Sequence, residues 1–128
     1  MSFLHSPIES LKLQKDFKRV YNQGKYAHDT LFVMHIVPNN LGKTRIGISV
    51  SKKVGCAVVR NRVRRWVKEK CRLMGQATIK PGYDIIIVAR VPVGQLNKSK
   101  SDKIKENNAF SQVSNALDRL FNKLLVKI

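Results

Sequence analysis

The 128-residue chain has few of the residues on which protein-based catalysis depends. It contains two cysteines, three histidines and eight acidic residues. The acids are scattered singly, so the sequence shows neither the clustered carboxylates of a metal-dependent nuclease nor a histidine-centred acid–base pair. It also has no glycine-rich loop for binding phosphate. The composition therefore argues against a nuclease whose own side chains perform the chemistry.

The scarcity of cysteine excludes a secreted domain built on disulfides. Cys56 and Cys71 fall on one predicted helix, about 22 Å apart at 1.5 Å per residue, whereas a disulfide needs Cα atoms within about 7 Å. We expect both thiols to be reduced and to lie in or near the core of a cytoplasmic protein. Together with the histidines they give no zinc-ligand spacing, so we expect no metal or other cofactor on the chain itself.

Long hydrophobic runs are also missing. No apolar stretch approaches the roughly 20 residues that a membrane span requires. Residues 1–7 have neither the basic start nor the apolar stretch of a signal peptide. We therefore expect no membrane partner.

Positive charge is what the chain has in excess. It carries 25 Lys and Arg residues, and its formal net charge is +17. A compact domain with this charge repels itself unless a polyanion screens it, which makes nucleic acid the leading partner. The hydrophobic content of 43% is enough to build the core of one domain over residues 1–128.

Hydrophobic periodicity predicts an α+β fold, a layered α/β sandwich with the order α-β-β-α-β-α around one sheet. The elements are expected at about residues 13–23, 26–37, 44–51, 57–73, 83–90 and 109–125. The short turn between the first two strands predicts an antiparallel hairpin. Residues 1–11 are expected to form a loose N-terminal segment, and the polar residues 97–108 are expected to form a loop.

The second predicted helix is basic along one side. Between Arg45 and Arg72 the only acid is Glu69. At 100° per residue, one face of this helix collects Asn61, Arg65, Lys68 and Arg72. Trp66 falls on the opposite face and is expected in the core. Guanidinium groups bind phosphate bidentately, so this face suits a nucleic-acid backbone. A merely solvated helix face is the alternative, but such faces usually mix both signs of charge.

The segment from Ser49 to Arg65 carries a dense motif, S-V-S-K-K-V-G-C-A-V-V-R-N-R-V-R-R. It is similar to the signature of the bacterial ribonuclease P protein component, S-x-S-K-K-x-G-x-A-V-x-R-N-R-x-x-R. Size, basicity and order of elements resemble that family from about residue 11 to residue 93. The resemblance implies a left-handed β-α-β crossover through the second helix, although the general rule favours the right-handed form.

The resemblance implies that the chain is the protein subunit of a ribonucleoprotein endonuclease. In that family a catalytic RNA, which requires Mg²⁺, removes the 5′ leader of precursor tRNA, and the protein assists by binding both RNAs. The basic helix and the turn before it are then expected near the cleavage site. The residues expected to contact the catalytic RNA are Lys52, Lys53, Arg60, Asn61, Arg62, Arg64, Arg65 and Lys68.

The resemblance further implies a cleft for the single-stranded leader between the sheet and the first helix. Such RNA is held by aromatic side chains beside basic groups. The residues expected to line this cleft are Phe17, Tyr21, His35, Arg45 and Ser49. Core packing is an equal alternative for Phe17, and a purely structural role is an equal alternative for His35 and Ser49.

Two other functions fit the composition. A ribosomal or ribosome-assembly protein would pack a basic surface against structural RNA, and the Arg60–Arg62 signature argues against it. A DNA-binding module is disfavoured because the chain has no helix-turn-helix or zinc-finger pattern. We therefore expect RNA, and not DNA, as the partner.

Overall fold

A five-stranded mixed sheet has helices on both faces in the computed structural model, which describes residues 9–78, 82–96 and 103–125. The elements in chain order are β1 (Glu9–Ser10), α1 (Gln14–Gln23), β2 (Lys25–His28), β3 (Phe32–Pro38), β4 (Arg45–Ser49), α2 (Ala57–Thr78), β5 (Tyr83–Ala89), a short 3-10 helix (Val91–Gln95) and α3 (Lys103–Leu125). The strands lie in the order β1-β4-β5-β3-β2. The predicted α+β class is confirmed. None of the described helices has the length and hydropathy that a membrane crossing requires.

The first helix lies where its periodicity predicts and ends before Gly24. The backbone N–H of Gly24 donates to the carbonyl of Val20 at 2.8 Å. A Cβ at position 24 would lie 2.5 Å from that oxygen. The tight end of α1 therefore requires glycine at this position.

The strand predicted over residues 26–37 is wrong as a single element, because Asp29 breaks it. The Asp29 carboxylate accepts the backbone N–H of Leu31 at 2.9 Å and that of Phe32 at 3.2 Å. A short polar side chain that bonds the backbone two residues on is a turn-forming device. The chain reverses at this point, and β2 and β3 pair antiparallel.

The predicted hairpin between β3 and β4 is also wrong, because β5 lies between these strands. β5 pairs antiparallel with β3 and parallel with β4. Its run Ile85–Ala89 is apolar on both faces, which suits a central strand that is covered on both sides. Residues 39–44 step across this one strand, a distance of about 10 Å. The unit β4–α2–β5 is therefore a parallel crossover.

Two helices are longer than predicted. α2 continues past residue 73 to Thr78, because Met74 is buried against the core and its packing outweighs the cost of about 1 kcal/mol for a helical glycine at Gly75. α3 begins at Lys103, so residues 103–108 of the expected polar loop are helical. Residues 97–102 lie outside the described residues.

The expected loose N-terminal segment, residues 1–11, contains a short strand. Glu9 and Ser10 form β1 and pair parallel with β4. Leu11 follows them and is buried, so its side chain anchors the chain to the sheet. Residues 1–8 lie outside the described residues.

Two hydrophobic clusters lie on opposite faces of the sheet. The larger lies between the sheet and helices α2 and α3, and Trp66 belongs to it, which confirms its predicted core position. The smaller lies under α1 and contains Leu11, Val20, Val37 and Ile86. α1 covers only part of its face, since His35 and Ser49 are only partly buried there. This uncovered part of the sheet is where a cleft was expected.

Candidate nucleic-acid interface

One side of α2 is basic and exposed, as its periodicity predicts. The basic stripe, as this set is named below, consists of Arg60, Asn61, Arg62, Arg64, Arg65 and Lys68. Asn61, Arg65 and Lys68 are exposed, and the other three are half-buried at its flanks. Part of the stripe, with Glu69 and Arg72, lines a shallow groove of about 420 Å³. A groove lined by guanidinium and ammonium groups can follow a phosphate backbone.

Acidic partners neutralise the C-terminal half of α2. Arg72 bonds the carboxylate of Glu69 twice, at 3.1 and 2.6 Å, and these bonds lower the pKa of Glu69. Lys70 pairs with Asp118 of α3 at 2.8 Å. No acid occurs in residues 57–68. The positive charge of the helix is therefore concentrated in its first half, where the stripe lies.

A tight turn leads from β4 into α2 and carries two more cations. Lys52 and Lys53 are both exposed in this turn, which is closed by a hydrogen bond from the Val54 N–H to the Ser51 carbonyl at 3.1 Å. Gly55 follows, and a Cβ there would lie 2.7 Å from the side chain of Val59. The two lysines thus lie directly between β4 and the stripe.

The two cysteines occupy different environments. Cys56 precedes α2 and is exposed, so the expectation that it lies in or near the core is wrong. The backbone N–H groups of Val59 and Val58 donate to its sulfur and lower the pKa of the thiol, as is usual at a helix N-terminus. Cys71 is buried as predicted, and burial raises the pKa of its thiol to about 12. Both are free thiols.

Four rings follow one another from α1 across β3 to β2. This aromatic row consists of Phe17, Tyr21, His35 and Tyr26, with successive ring centroids 6.4, 4.8 and 5.7 Å apart. Phe17 and His35 are half-buried, whereas Tyr21 is 41% exposed and Tyr26 is 65% exposed. Accessible rings in a strongly basic domain suit the unstacked bases of single-stranded RNA.

Hydrogen bonding and burial fix the middle of the aromatic row. Burial raises the pKa of Tyr21, and a hydrogen bond with Ser49 offsets part of this rise, so the phenol is protonated at neutral pH. Burial lowers the pKa of His35, and its buried Nδ1 has no hydrogen-bond partner among the described residues. Tyr21, His35 and Ser49, three residues predicted for the cleft, are thus brought together. The His35 imidazole is uncharged at neutral pH and lies between the rings of Tyr21 and Tyr26.

Phe17 closes the inner end of the aromatic row. Its ring packs on Gly47 of β4, where a Cβ would lie 2.7 Å from a ring carbon. The ring also packs against the small cluster under α1. Phe17 therefore packs in the core as well as in the row, and its contact with the leader stays a prediction.

Arg45, predicted for the leader cleft, forms part of a buried charged cluster. Its guanidinium donates twice to Asp84, at 2.8 and 2.7 Å. Asp84 is 0% exposed and also accepts bonds from Arg19 and from the Asn39 amide. Burial alone would raise the pKa of Asp84, but the bonds from Arg45 and Asn39 and the charges of Arg45 and Arg19 outweigh burial and lower it. These four residues are the Asp84 cluster, and the charge of Arg45 is used within the fold.

The sequence interpretation missed two residues of this region. Asp84 could have been found, because an acid within an otherwise apolar strand must be surrounded by cations or donors when it is buried. Tyr26 had no comparable signal. It belongs to the aromatic row because β2 pairs with β3 in a register that sets Tyr26 opposite His35.

Comparison with known proteins points to one family. Residues 6–125 match the family described as Ribonuclease P. The ribonuclease P protein component of Clostridioides difficile is 46% identical over 99 residues, which cover 77% of this chain and 87% of that protein. The solved RNase P protein of Staphylococcus aureus superimposes with a TM-score of 0.77 at 29% identity, covering 94% of this chain and 98% of that one. A mutant of the S. aureus protein, described as defective in mRNA degradation activity, gives a TM-score of 0.73 at 29% identity and covers 88% and 85%.

Proposed function

The chain belongs to the ribonuclease P protein family, and we propose that it binds two RNAs through two surfaces of its fold. As a ribonuclease P protein it is a subunit of a ribonucleoprotein endoribonuclease. The basic stripe, together with Lys52 and Lys53, contacts the catalytic RNA. The aromatic row, with Ser49, binds the 5′ leader, the single-stranded segment that is removed from precursor tRNA.

The observation that carries this proposal is that the aromatic row and the basic stripe are both connected to the C-terminal end of β4. Ser49, the last residue of β4, is hydrogen-bonded to Tyr21 of the aromatic row. The turn with Lys52 and Lys53 leads from the same strand end into the basic stripe. Although the row and α2 lie on opposite faces of the sheet, both reach the same end of β4, where the protein joins the substrate to the catalytic RNA. Its contribution is positional, which can supply a large part of a rate enhancement.

We assign the chemistry to the RNA and not to this chain. In the part of the chain that the structure describes, no cluster of three or more His, Cys, Asp or Glu side chains is placed to hold a metal ion. The buried acid Asp84 is already surrounded by Arg45, Arg19 and Asn39. The Mg²⁺ needed for cleavage is then held by the RNA. The cations of the protein neutralise nearby phosphates, so less Mg²⁺ is required.

We propose a cytoplasmic setting for this function. The relatives found are named ribonuclease P protein components, which gives no support to the ribosomal alternative. Two free thiols are compatible with a reducing cytoplasm, where we place the protein with its RNA partners.

Single-turnover cleavage of precursor tRNA tests this division of labour. We expect efficient cleavage by RNA and protein together, slow cleavage by the RNA alone at raised Mg²⁺, and none by the RNA-free protein. Substitution of any of the eight acids should leave the holoenzyme active unless the fold is lost. The S. aureus mutant is described as defective in mRNA degradation activity. An mRNA should therefore be tested as a second substrate in the reaction with protein alone.

Two results would contradict the assignment of chemistry to the RNA. One is site-specific cleavage of precursor tRNA by the purified protein free of RNA. The other is an acid-to-alanine variant that folds and binds both RNAs yet leaves the holoenzyme inactive. Degradation of the mRNA by protein alone would indicate a second activity, separate from 5′ maturation.

Replacement of Tyr21 by alanine should weaken binding of a substrate that carries a leader. A base stacked on an aromatic ring contributes about 1–3 kcal/mol, so affinity for precursor tRNA should fall roughly 5- to 150-fold. Affinity for mature tRNA, which has no leader, should hardly change. Equilibrium binding to the holoenzyme measures both. Tyr21→Phe is the matched control because it keeps the ring and loses only the bond to Ser49. Equal losses on the two RNAs would instead assign Tyr21 to the core or to another interface.

A further inference from the structure

We propose that Tyr26 extends the leader-binding surface by one nucleotide, across β3 and onto the edge strand β2. This inference rests on the proposed function of the aromatic row and adds a position to it. Tyr26 lies at the outer end of the row, with its ring centroid 5.7 Å from that of His35. Its ligand would be a single unstacked RNA base.

The register of the sheet places Tyr26 on the same face as the rest of the row. Tyr26 is the antiparallel partner of His35, and partners in a sheet project to the same side. Its neighbour Ala27 projects to the other side and is buried in the large core cluster. Among the described strands, β2 pairs only with β3 and stands last in the order of the sheet. The Tyr26 ring therefore continues the row toward the edge of the described sheet, beyond the area that α1 covers.

Burial does not account for the presence of a tyrosine at this position. Tyr26 is 65% exposed, the second-highest value among the large hydrophobic side chains described. A cross-strand aromatic pair stabilises a sheet by at most about 1 kcal/mol. Most of the Tyr26 ring surface remains available to a ligand.

The ring geometry indicates where a base would lie. The planes of Tyr26 and His35 are inclined by 32° to each other. A base inserted between them would need centroids about 7 Å apart, two van der Waals contact distances, and 5.7 Å is too close. The base therefore stacks on the outer surface of Tyr26. Aromatic residues on neighbouring strands that each stack one base are a common means of binding single-stranded RNA on a sheet.

Charge favours an RNA occupant over an apolar protein segment. Lys25, the residue before Tyr26, is an exposed cation on this edge strand. The chain as a whole carries a net charge of +17. A flexible polyanion is attracted to such a surface, and a leader already held at Tyr21 is continuous with it.

The test is a leader-length series measured with the reconstituted holoenzyme. Precursor tRNAs with leaders lengthened one nucleotide at a time are bound to the unmodified protein and to its Tyr26→Ala, Tyr26→Phe and Tyr21→Ala variants. We expect Tyr26→Ala to match the unmodified protein on leaderless and short-leader RNAs. Once the leader is long enough to reach β2, the affinity of Tyr26→Ala should be about fivefold lower than that of the unmodified protein, which is the low end for one stacked base. Tyr26→Phe keeps the ring and should bind long-leader RNAs as tightly as the unmodified protein does. Leu41→Ala, which truncates another exposed apolar side chain, should also leave this affinity unchanged.

An abasic nucleotide moved along the leader locates the contact. At one leader position, an abasic nucleotide should make the unmodified protein and Tyr26→Ala bind the RNA equally well. The abasic position that makes Tyr21→Ala bind as well as the unmodified protein should be a different one. The Tyr26 proposal is overturned if Tyr26→Ala has no effect at any leader length. It is equally overturned if the loss is the same on leaderless RNA, which would indicate a contact with another RNA or a folding defect. If Tyr21→Ala also lacks any dependence on the leader, the proposed function of the aromatic row fails as well. If only Tyr26→Ala lacks a leader-dependent loss, the leader-binding role of the aromatic row stands and the proposed contact at Tyr26 is wrong.

Discussion

Replacing Asp84 by asparagine should destabilise the fold by about 3–5 kcal/mol, the usual result of removing one partner of a buried ion pair. The substitution keeps the volume of the side chain but leaves two guanidinium groups facing a neutral amide. Those of Arg45 and Arg19 are only 20% and 30% exposed, so water compensates for little of the loss. Urea unfolding, followed by circular dichroism, measures the change.

The control for Asp84→Asn is Asp118→Asn, which removes the charge of a half-exposed carboxylate paired with Lys70. We expect it to cost less than about 1 kcal/mol. Acid supplies a second readout, because the fold lowers the pKa of Asp84 below its ordinary value of 3.8. The stability that this carboxylate contributes is complete above pH 3.8 and is lost as the pH falls through the lower pKa of the folded state. Asp84→Asn should therefore lose less stability in acid than the unmodified chain. Equal, small effects of the two substitutions would contradict a stabilising role for the Asp84 cluster.

The Asp84 cluster shows why the sheet could not be predicted residue by residue. The sequence separates Asp84 from Arg45 and Arg19 by long stretches of chain, and only the parallel register of β4 and β5 sets Arg45 opposite Asp84. Strand neighbours are decided by which strand is buried on both faces, a property of the assembled molecule. The apolar run of β5 indicated a buried strand, but it did not indicate that β5 would separate β3 from β4.

Local signals predicted the helices better than the strands. The 3.6-residue pattern of α2 placed Trp66 in the core and Arg65 and Lys68 on the surface, because the two sides of a helix follow directly from the order of its residues. Helix ends were less predictable. Gly75 is only a weak breaker, and the burial of Met74 outweighs it. In the strands, two hydrogen bonds to the Asp29 side chain converted a predicted long strand into two.

The candidate site divides in the same way. Its basic stripe lies on one helix and could be predicted, since every member is fixed by its position along α2. Its aromatic row combines three elements, α1, β3 and β2, and only Phe17, Tyr21 and His35 had been predicted for it. Tyr26 joins them through the pairing of two strands. A site built across strands depends on register, which a periodic pattern does not specify.

Removing three cations of the basic stripe together should produce the largest loss of RNA affinity. In the variant Arg62→Gln, Arg65→Gln, Lys68→Gln, all three changes lie on the side of α2 opposite the buried Val63 and Val67. Each phosphate contact contributes a slope of about 0.7 to 0.9 to the dependence of log affinity on log salt. The slope for binding of the catalytic RNA should therefore become shallower by about 2 to 3. Titration of the fluorescently labelled RNA at several salt concentrations measures it.

The control for the stripe removes equal charge from elsewhere on the molecule. Lys12, Lys15 and Lys123 are exposed and lie outside α2, so Lys12→Gln, Lys15→Gln, Lys123→Gln lowers the net charge to the same extent. If the stripe makes specific phosphate contacts, this control should change the slope much less. If only net charge attracts the RNA, the two variants should behave alike, and the proposed interface on α2 would be wrong. Thermal unfolding completes the comparison. Exposed substitutions such as those at Arg65 and Lys68 usually alter stability by no more than about 0.5 kcal/mol, and the melting curve also reports any larger cost at the half-buried Arg62. A stripe variant that melts early while keeping its salt slope would show that these side chains support the fold and not the RNA.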